Sequence, residues 1–210
     1  MSHPLPAADH AFARAAGEPQ IENARQSLVR ANATVHVVDT VPDARTLLGT
    51  LLPTDEPVFT VSSQTLLLSG IRDDIDDSGR FRSVRSTLLA GLDPRSAEAR
   101  RIGASPEVVV GSVHAVTEDG QIVVASASGS QLSAYAAGAS KVFYVVGAQK
   151  IVPDLETALR RIETYSLPLE NERALAQYGY GSVVGKLLVH RLEVVPGRVT
   201  VLIVREPIGY

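Results

Sequence analysis

The sequence predicts an α/β fold in which helices cover a mostly parallel central sheet. Three observations carry that expectation. The runs Val108-Val109-Val110 and Lys141–Val146 are nearly uniformly apolar, as parallel strands buried on both faces require. Segments with apolar residues at helical spacing alternate with such runs, and the order helix, strand, helix, strand marks the α/β class. The chain has 210 residues, 45% of them hydrophobic and 20% charged. That is enough for one domain with a full core.

In order along the chain, Met1–Gln20 is Ala- and Pro-rich with weak periodicity. It reads as a flexible N-terminal arm ahead of a single domain over residues 21–210. Ile21, Ala24, Leu28 and Ala31 share one helical face. Thr34–Val38 is a short strand. Pro42 sits in the first turn of a helix with the stripe Ala44, Leu47, Leu48 and Leu51, stopped at Pro53. Pro57–Val61 is the next strand, and Ser62–Leu66 is a hydroxyl-rich turn into a short helix ending at Gly70.

Asp73, Asp74, Asp76 and Asp77 make the most acidic patch, read as a solvated turn whose carboxylates pair with Arg80, Arg82 and Arg85. It is no calcium loop, because Arg85 stands where the bidentate Glu belongs. Leu92-Asp93-Pro94 starts a polar helix through Arg101. Thr117–Gly120 is a polar turn followed by a strand, Gln121–Ala125. Gln131–Ala137 is a short helix stopped by Gly138. After Val152-Pro153-Asp154 comes an amphipathic helix with the stripe Leu155, Ala158, Leu159, Ile162 and Tyr165; Arg160 and Arg161 fall outside the stripe and Pro168 ends it. Leu187–Val195 and Arg198–Val204 read as a hairpin joined at Pro196-Gly197.

The stretch Val108–Lys150 is where these elements place a site. Ser63 and Thr65 lie between a strand and a helix, where unpaired N–H groups attract anions, although either can simply cap the helix. Glu118 stands in a turn just beyond a buried strand, the crevice where open α/β sheets bind ligands. A tuned carboxylate there can act as base or nucleophile, which makes Glu118 the catalytic candidate. Asp119-Gly120 fits the turn itself. Ser126, Ser128, Gly129, Ser130 and Gln131 form a hydroxyl and amide cradle at a helix start, suited to a phosphate or carboxylate. Lys150, after the next strand, adds a positive charge at the same sheet edge. His114 is a satisfied strand-end histidine or a base.

Some of these stretches resemble a known family. GSVHAVTEDGQIVVASASGSQ, then KVFYVVGAQKIVPDLETALRRI, SLPLENERA and the tail GKLLVHRLEVVPGRVTVLIVREPIGY look like the LUD (lactate-utilisation) domain over about Ile21–Tyr210. Ser63 and Thr65 match that family's Ser-x-Thr-Leu element, while Val61 and Ser62 replace its two preceding glycines. The resemblance implies a three-layer α/β/α fold akin to the NagB/RpiA/CoA-transferase group. In that group, some members use a Glu as nucleophile toward an acyl-CoA or a carboxylate as base. It also implies a role in organic-acid (lactate-type) metabolism. The chain would bind a small anionic metabolite or cofactor of unknown identity, with or without turnover, or serve as a non-catalytic subunit beside iron–sulfur lactate-oxidation proteins. A homo-oligomer is compatible with either role.

Composition excludes several classes. A net charge of −3 and 5% aromatic residues do not suit a nucleic-acid binder, which needs a basic face and stacking platforms. With no Cys, the chain holds no disulfide, no thiolate metal site and no cluster of its own. No histidine pair has metal-ligand spacing, so no metal site is expected. GSVVGK (181–186) is one residue short of a phosphate loop and precedes a strand. No Gly-x-Gly-x-x-Gly fingerprint marks a dehydrogenase. Neither a signal peptide nor a ~20-residue apolar span is evident, so a cytoplasmic location without a membrane span is expected.

Overall fold

The computed structural model describes residues 5–87, 89–93 and 96–210. In chain order its elements are α1 (Glu18–Arg30), β1 (Thr34–Val38), α2 (Val41–Leu51), β2 (Pro57–Thr60), α3 (Gln64–Leu68), α4 (Ile71–Asp76), β3 (Arg82–Ser83), α5 (Ala97–Ala104), β4 (Val108–Gly111), β5 (Ala115–Thr117), β6 (Ile122–Ser126), β7 (Lys141–Gly147), β8 (Ile151–Val152), α6 (Leu155–Arg161), α7 (Leu167–Tyr178), β9 (Lys186–His190) and β10 (Val199–Val204). Two wide π-type turns, Ala134–Gly138 and Ile162–Ser166, and two 3-10 turns, His10–Ala13 and Ala148–Lys150, complete the helical structure of the described residues. Pro94, in the helix start expected at Leu92-Asp93-Pro94, lies outside the described residues.

Six strands form the central sheet in the order β1-β10-β7-β4-β2-β3, and every pair is parallel. Alternation along each strand divides the core. Val109 of β4, Val142, Tyr144 and Val146 of β7, and Val201 and Ile203 of β10 face one side, with Ile21, Ala24 and Leu28 of α1. Val108, Val110, Phe143, Val145, Leu202 and Val204 face the other, against Ala44 and Leu48 of α2, Leu66 of α3, and Ile71 and Ile75 of α4. Burying each such aliphatic side chain is worth about 1.5–3 kcal/mol. The continuous apolar runs therefore have a direct cause: neither face of the sheet is wet.

Helices cover both sides, as expected. One side also carries a smaller sheet, in the order β8-β5-β6-β9. Val116, Ile122 and Val124 turn toward the central sheet, while Ala115, Val123, Ala125 and Val152 pack outward on Ala158 of α6. The β5–β6 hairpin closes at Gly120, whose φ of +90° suits glycine. Asp119 accepts hydrogen bonds from Thr117 and Gln121, so its carboxylate belongs to the turn.

Local chemistry accounts for most boundaries. Thr40 and Asp43 form a reciprocal capping box on α2, and Ser63, Ser96 and Asp154 cap α3, α5 and α6. The segment read as an arm packs on the body at several described points, among them the following. Asp9 N–H donates to Thr164 O, Ala16 N–H donates to Ala148 O, and the His10 ring meets Tyr165 edge-on.

Four expectations need correction. Residues 71–76 are a helix rather than a solvated turn, because Ile71 and Ile75 are one turn apart and both enter the core. Pro168 does not end the helical segment; it occupies the first turn of α7, where its missing N–H costs nothing. Arg161 is fully buried rather than outside the apolar stripe, since it stands three residues after buried Ala158 and so shares its face of α6. β9 and β10 form no hairpin. β9 pairs with β6 in the small sheet and β10 lies between β1 and β7 in the central one, so Pro196-Gly197 turns the chain between layers.

Candidate functional site

The site's position follows from three strand ends. β2, β4 and β7 run in parallel, and the chain leaves their carboxyl edges through Val61–Gln64, Ser112–His114 and Ala148–Lys150. Ligands of open α/β sheets bind in the crevice beyond such ends. A cleft of about 390 Å³ opens there. The loop after β6 and the end of α7 with its following loop supply the other walls. β4 must end in glycine for this packing: a Cβ on Gly111 would lie 1.7 Å from the Tyr135 hydroxyl.

Lys150 forms the buried corner of the cleft. Its Nζ donates to Thr65 Oγ1 at 2.8 Å, Val113 O at 2.9 Å and Ser112 Oγ at 3.1 Å. Ser112 Oγ in turn donates to Val145 O at 2.7 Å, and Thr65 Oγ1 donates to Ile208 O at 3.3 Å. Burial, and then the charge of Arg161, push the Lys150 pKa well below the usual lysine range.

Arg161 lies behind this corner, with no exposed surface. Its Nη1 donates to His114 O at 2.5 Å and Ser166 Oγ at 3.1 Å, and its Nε to Gln149 O at 3.3 Å. Its Nη2 has no hydrogen-bond partner. Burial lowers its pKa to about 10, so it stays cationic near neutral pH. Among the described residues, no carboxylate reaches ion-pair distance of Lys150 or Arg161. His114 accepts a bond from Ala125 N–H on Nδ1 at 3.1 Å. Burial, then Lys150 and Arg161, lower its pKa to about 3; it is a neutral, satisfied strand-end histidine.

Two further groups face the cleft. Arg72 and Arg85 line one wall. Arg85 donates to Thr60 O at 2.7 Å and stands 3.7 Å from Asp76; burial lowers its pKa. Asp76 is itself engaged by Thr60 and Ser83 at 2.7 and 2.6 Å. Opposite in character is Glu170, which accepts two bonds from Arg173, at 2.6 and 2.8 Å, and one from the Tyr210 hydroxyl at 2.6 Å. Burial pushes its pKa up, but those bonds outweigh it and leave the carboxyl below its ordinary value.

The structure brings Ser63, Ser126, Ser128, Ser130, Gln131 and Lys150 to this one cleft, and Thr65 lies buried directly beneath it. The Ser126–Gln131 loop is closed on itself. Ser126 Oγ accepts from Gly129 N–H and donates to Gln131 Oε1, and Ser128 Oγ accepts from Ser130 N–H, so two N–H groups expected to face an anion are spent internally. Gly129 supplies the positive φ of that loop, +86°. Glu118 does not reach the cleft. It is half-buried against α1, where Asn23 donates to it at 2.8 Å.

Sequence reasoning passed over Ser112, Arg161, Glu170, Arg173 and Tyr210. Ser112 carried a signal, as the first residue past the buried strand end. Arg161 carried only a weak one, its spacing of three from Ala158 on α6, which its charge outweighed.

A family profile described as the LUD domain matches residues 21–204. The chain belongs to the LUD domain family. A crystal structure of a DUF162 family protein from Deinococcus radiodurans superposes with a TM-score of 0.53 at 11% identity, covering 89% of this chain and 96% of that one. This LUD-domain chain thus shares that protein's fold. Ribose 5 phosphate isomerase A from Neisseria gonorrhoeae gives a TM-score of 0.34 at 14% identity, over 74% of this chain and 76% of that one. eIF2B beta from Chaetomium thermophilum gives 0.38 at 11%, over 56% and 44%. No curated protein matches. Among the described residues, no group of His, Asp and Glu side chains could hold a metal ion, and no helix is long and apolar enough to cross a membrane.

Proposed function

We propose that the cleft binds a small anionic metabolite, of the organic-acid kind that the family's lactate-utilisation name suggests. The carrying observation is Arg161, a fully buried guanidinium without a carboxylate partner among the described residues, set directly behind the buried Lys150 amine. Buried charges are ordinarily paired. An anion in the cleft would supply the missing countercharge. Arg72 and Arg85 on the adjoining wall, beside Asp73 and Asp76, add to the same field, and Ser63 offers a hydroxyl donor there.

The test is thermal denaturation of the chain with acyl-CoAs, sugar phosphates, nucleotides, folates and small hydroxy acids. A ligand at ~100 times its dissociation constant adds about 2.7 kcal/mol. Stabilisation by an anionic compound that disappears in Arg85→Met supports the reading; a panel without effect removes it.

A second reading, an accessory subunit of an iron–sulfur assembly, is favoured by one specific observation. Tyr178, Tyr180, Val183 and Leu187 are all exposed, at 51%, 53%, 62% and 47%, around the loop from α7 to β9, and the two tyrosines stack. Grouped exposed apolar residues commonly mark an interaction surface. Co-purification of the tagged chain with a protein carrying iron–sulfur absorbance, lost in Val183→Glu, would support it. An unaltered elution profile with no such absorbance would count against it.

A further inference from the structure

We infer that Ser112 and Lys150 form a nucleophile–base pair that attacks the acyl carbon of an ester or thioester. Three observations lead there. Ser112 Oγ and Lys150 Nζ are 3.1 Å apart, within the reach that proton transfer requires. Both residues line the cleft, whereas Thr65, the other hydroxyl on Lys150, is buried at 1% exposure; Ser112 is the hydroxyl of the two that a substrate can meet. The surroundings also fit a neutral amine. Its two N–H groups have acceptors in Thr65 Oγ1 and Val113 O, which leaves the lone pair to the third neighbour, Ser112.

Burial and the Arg161 charge favour that neutral form, which a base must have before it acts. At rest the Ser112 hydroxyl bonds to Val145 O; rotation about its Cα–Cβ and C–O bonds turns it to Lys150. Ser112 Oγ then bonds to the acyl carbon while its proton moves to Lys150 Nζ. The carbonyl reforms as the bond to the alcohol or thiol breaks, and Lys150 returns the proton to that leaving group. Water, deprotonated by the same amine, then cleaves the acyl-serine to a carboxylic acid and restores Ser112. An anionic group on the substrate would sit toward Arg72 and Arg85, and this detail alone rests on the anion-binding reading.

The experiment uses uncharged electrophiles, so it does not depend on the anion site. The purified chain is treated with a fluorophosphonate probe and with p-nitrophenyl acetate, and the adduct is located by peptide mass mapping. A single adduct on Ser112, absent in Ser112→Ala, is the expected result. Lys150→Arg keeps a long basic side chain but one that stays protonated, so the base is lost and labelling should slow by ~100-fold or more. Should Lys150→Arg fail to fold, Ser112→Cys takes its place. The chain has no other Cys, so its alkylation by iodoacetamide is unique and should run faster in the folded than in the denatured protein. Adducts elsewhere, none at all, wild-type labelling in Lys150→Arg, or no acceleration in Ser112→Cys would each overturn the pair. Labelling at Ser112 with no anion stabilisation would overturn the anion-binding reading and leave the pair standing.

Discussion

Thr65 and Lys150 are 85 positions apart in sequence and meet at 2.8 Å. One stands beyond β2 and the other beyond β7, two strands away across the sheet, with Ser112 from the end of β4 between them. A hydroxyl–amine contact thus ties together three carboxyl ends of the central sheet. The same contact holds the C-terminal segment, since Thr65 also donates to Ile208 O and Gln149 brackets Ile208 from both sides.

Thr65→Val keeps the side chain's shape and removes its oxygen. Lys150 then loses one of its three partners in a buried corner, and Ile208 O loses a donor. The expected cost is about 1–3 kcal/mol, the usual penalty for an unsatisfied buried polar group. Urea unfolding should show a lower midpoint with an unchanged slope. A midpoint equal to wild type would mean that water fills the gap.

His114 gives a pH dependence whose sign is fixed. Its folded pKa is about 3 and its unfolded value is ~6.5, so below the latter the unfolded chain binds a proton that the folded one rejects. Stability contributed by the neutral imidazole is intact above ~6.5 and falls as pH drops toward 3, by about 1.4 kcal/mol per pH unit. Thermal melts between pH 7 and 4.5 should show this loss. His114→Asn should flatten it by about one proton's worth of slope.

Gly111→Ala places a methyl 1.7 Å from the Tyr135 hydroxyl and 2.8 Å from its ring carbon. Overpacking of this kind costs about 1–3 kcal/mol. Tyr135→Phe on the same chain removes the nearer atom and should recover part of the loss. Chemical denaturation of the single and double variants would measure the coupling directly.

Glu170→Gln should change ligand preference more than stability. The carboxylate is the acceptor for both Arg173 and Tyr210; as an amide it no longer offsets the arginine's charge. Anions should then stabilise the variant more than the wild type in thermal denaturation. An equal or smaller stabilisation would show that Arg173 does not sense the ligand.

The central sheet was legible because burial on two faces leaves a mark on composition: Val108–Val110 and Val142–Val146 are buried throughout and hold one side-chain polar atom, the Tyr144 hydroxyl. Helix starts were legible through Pro42 and Asp154, whose chemistry is local. The hairpin inferred at Pro196-Gly197 failed because a turn signal says that the chain reverses, not which sheet receives the next strand. Pro168 misled because a π-type turn before it starts a new helix without altering residue type, and Arg161 because a charged side chain on the Ala158 face of α6 reads as exposed. At the site, Ser63, Thr65 and Lys150 were visible as residues just past strand ends. Glu118 looked equivalent to them, but the strand before it is β5 of the small sheet, whose end points at α1. Glu170 and Tyr210 arrive from distant segments, and periodicity carries no trace of that.

The position of β10 has a consequence for how the molecule comes to be. β1 takes β10 as its neighbour, with Thr34 opposite Thr200, so the strand formed early in synthesis waits for one formed some 166 positions later. Until then its unpaired N–H and C=O groups, and those along the β10-facing side of β7, are open templates for a foreign strand. Such long-range closure makes folding slow. A nascent chain halted between Gly147 and Val199 holds two strand edges that its own β10 has yet to cover.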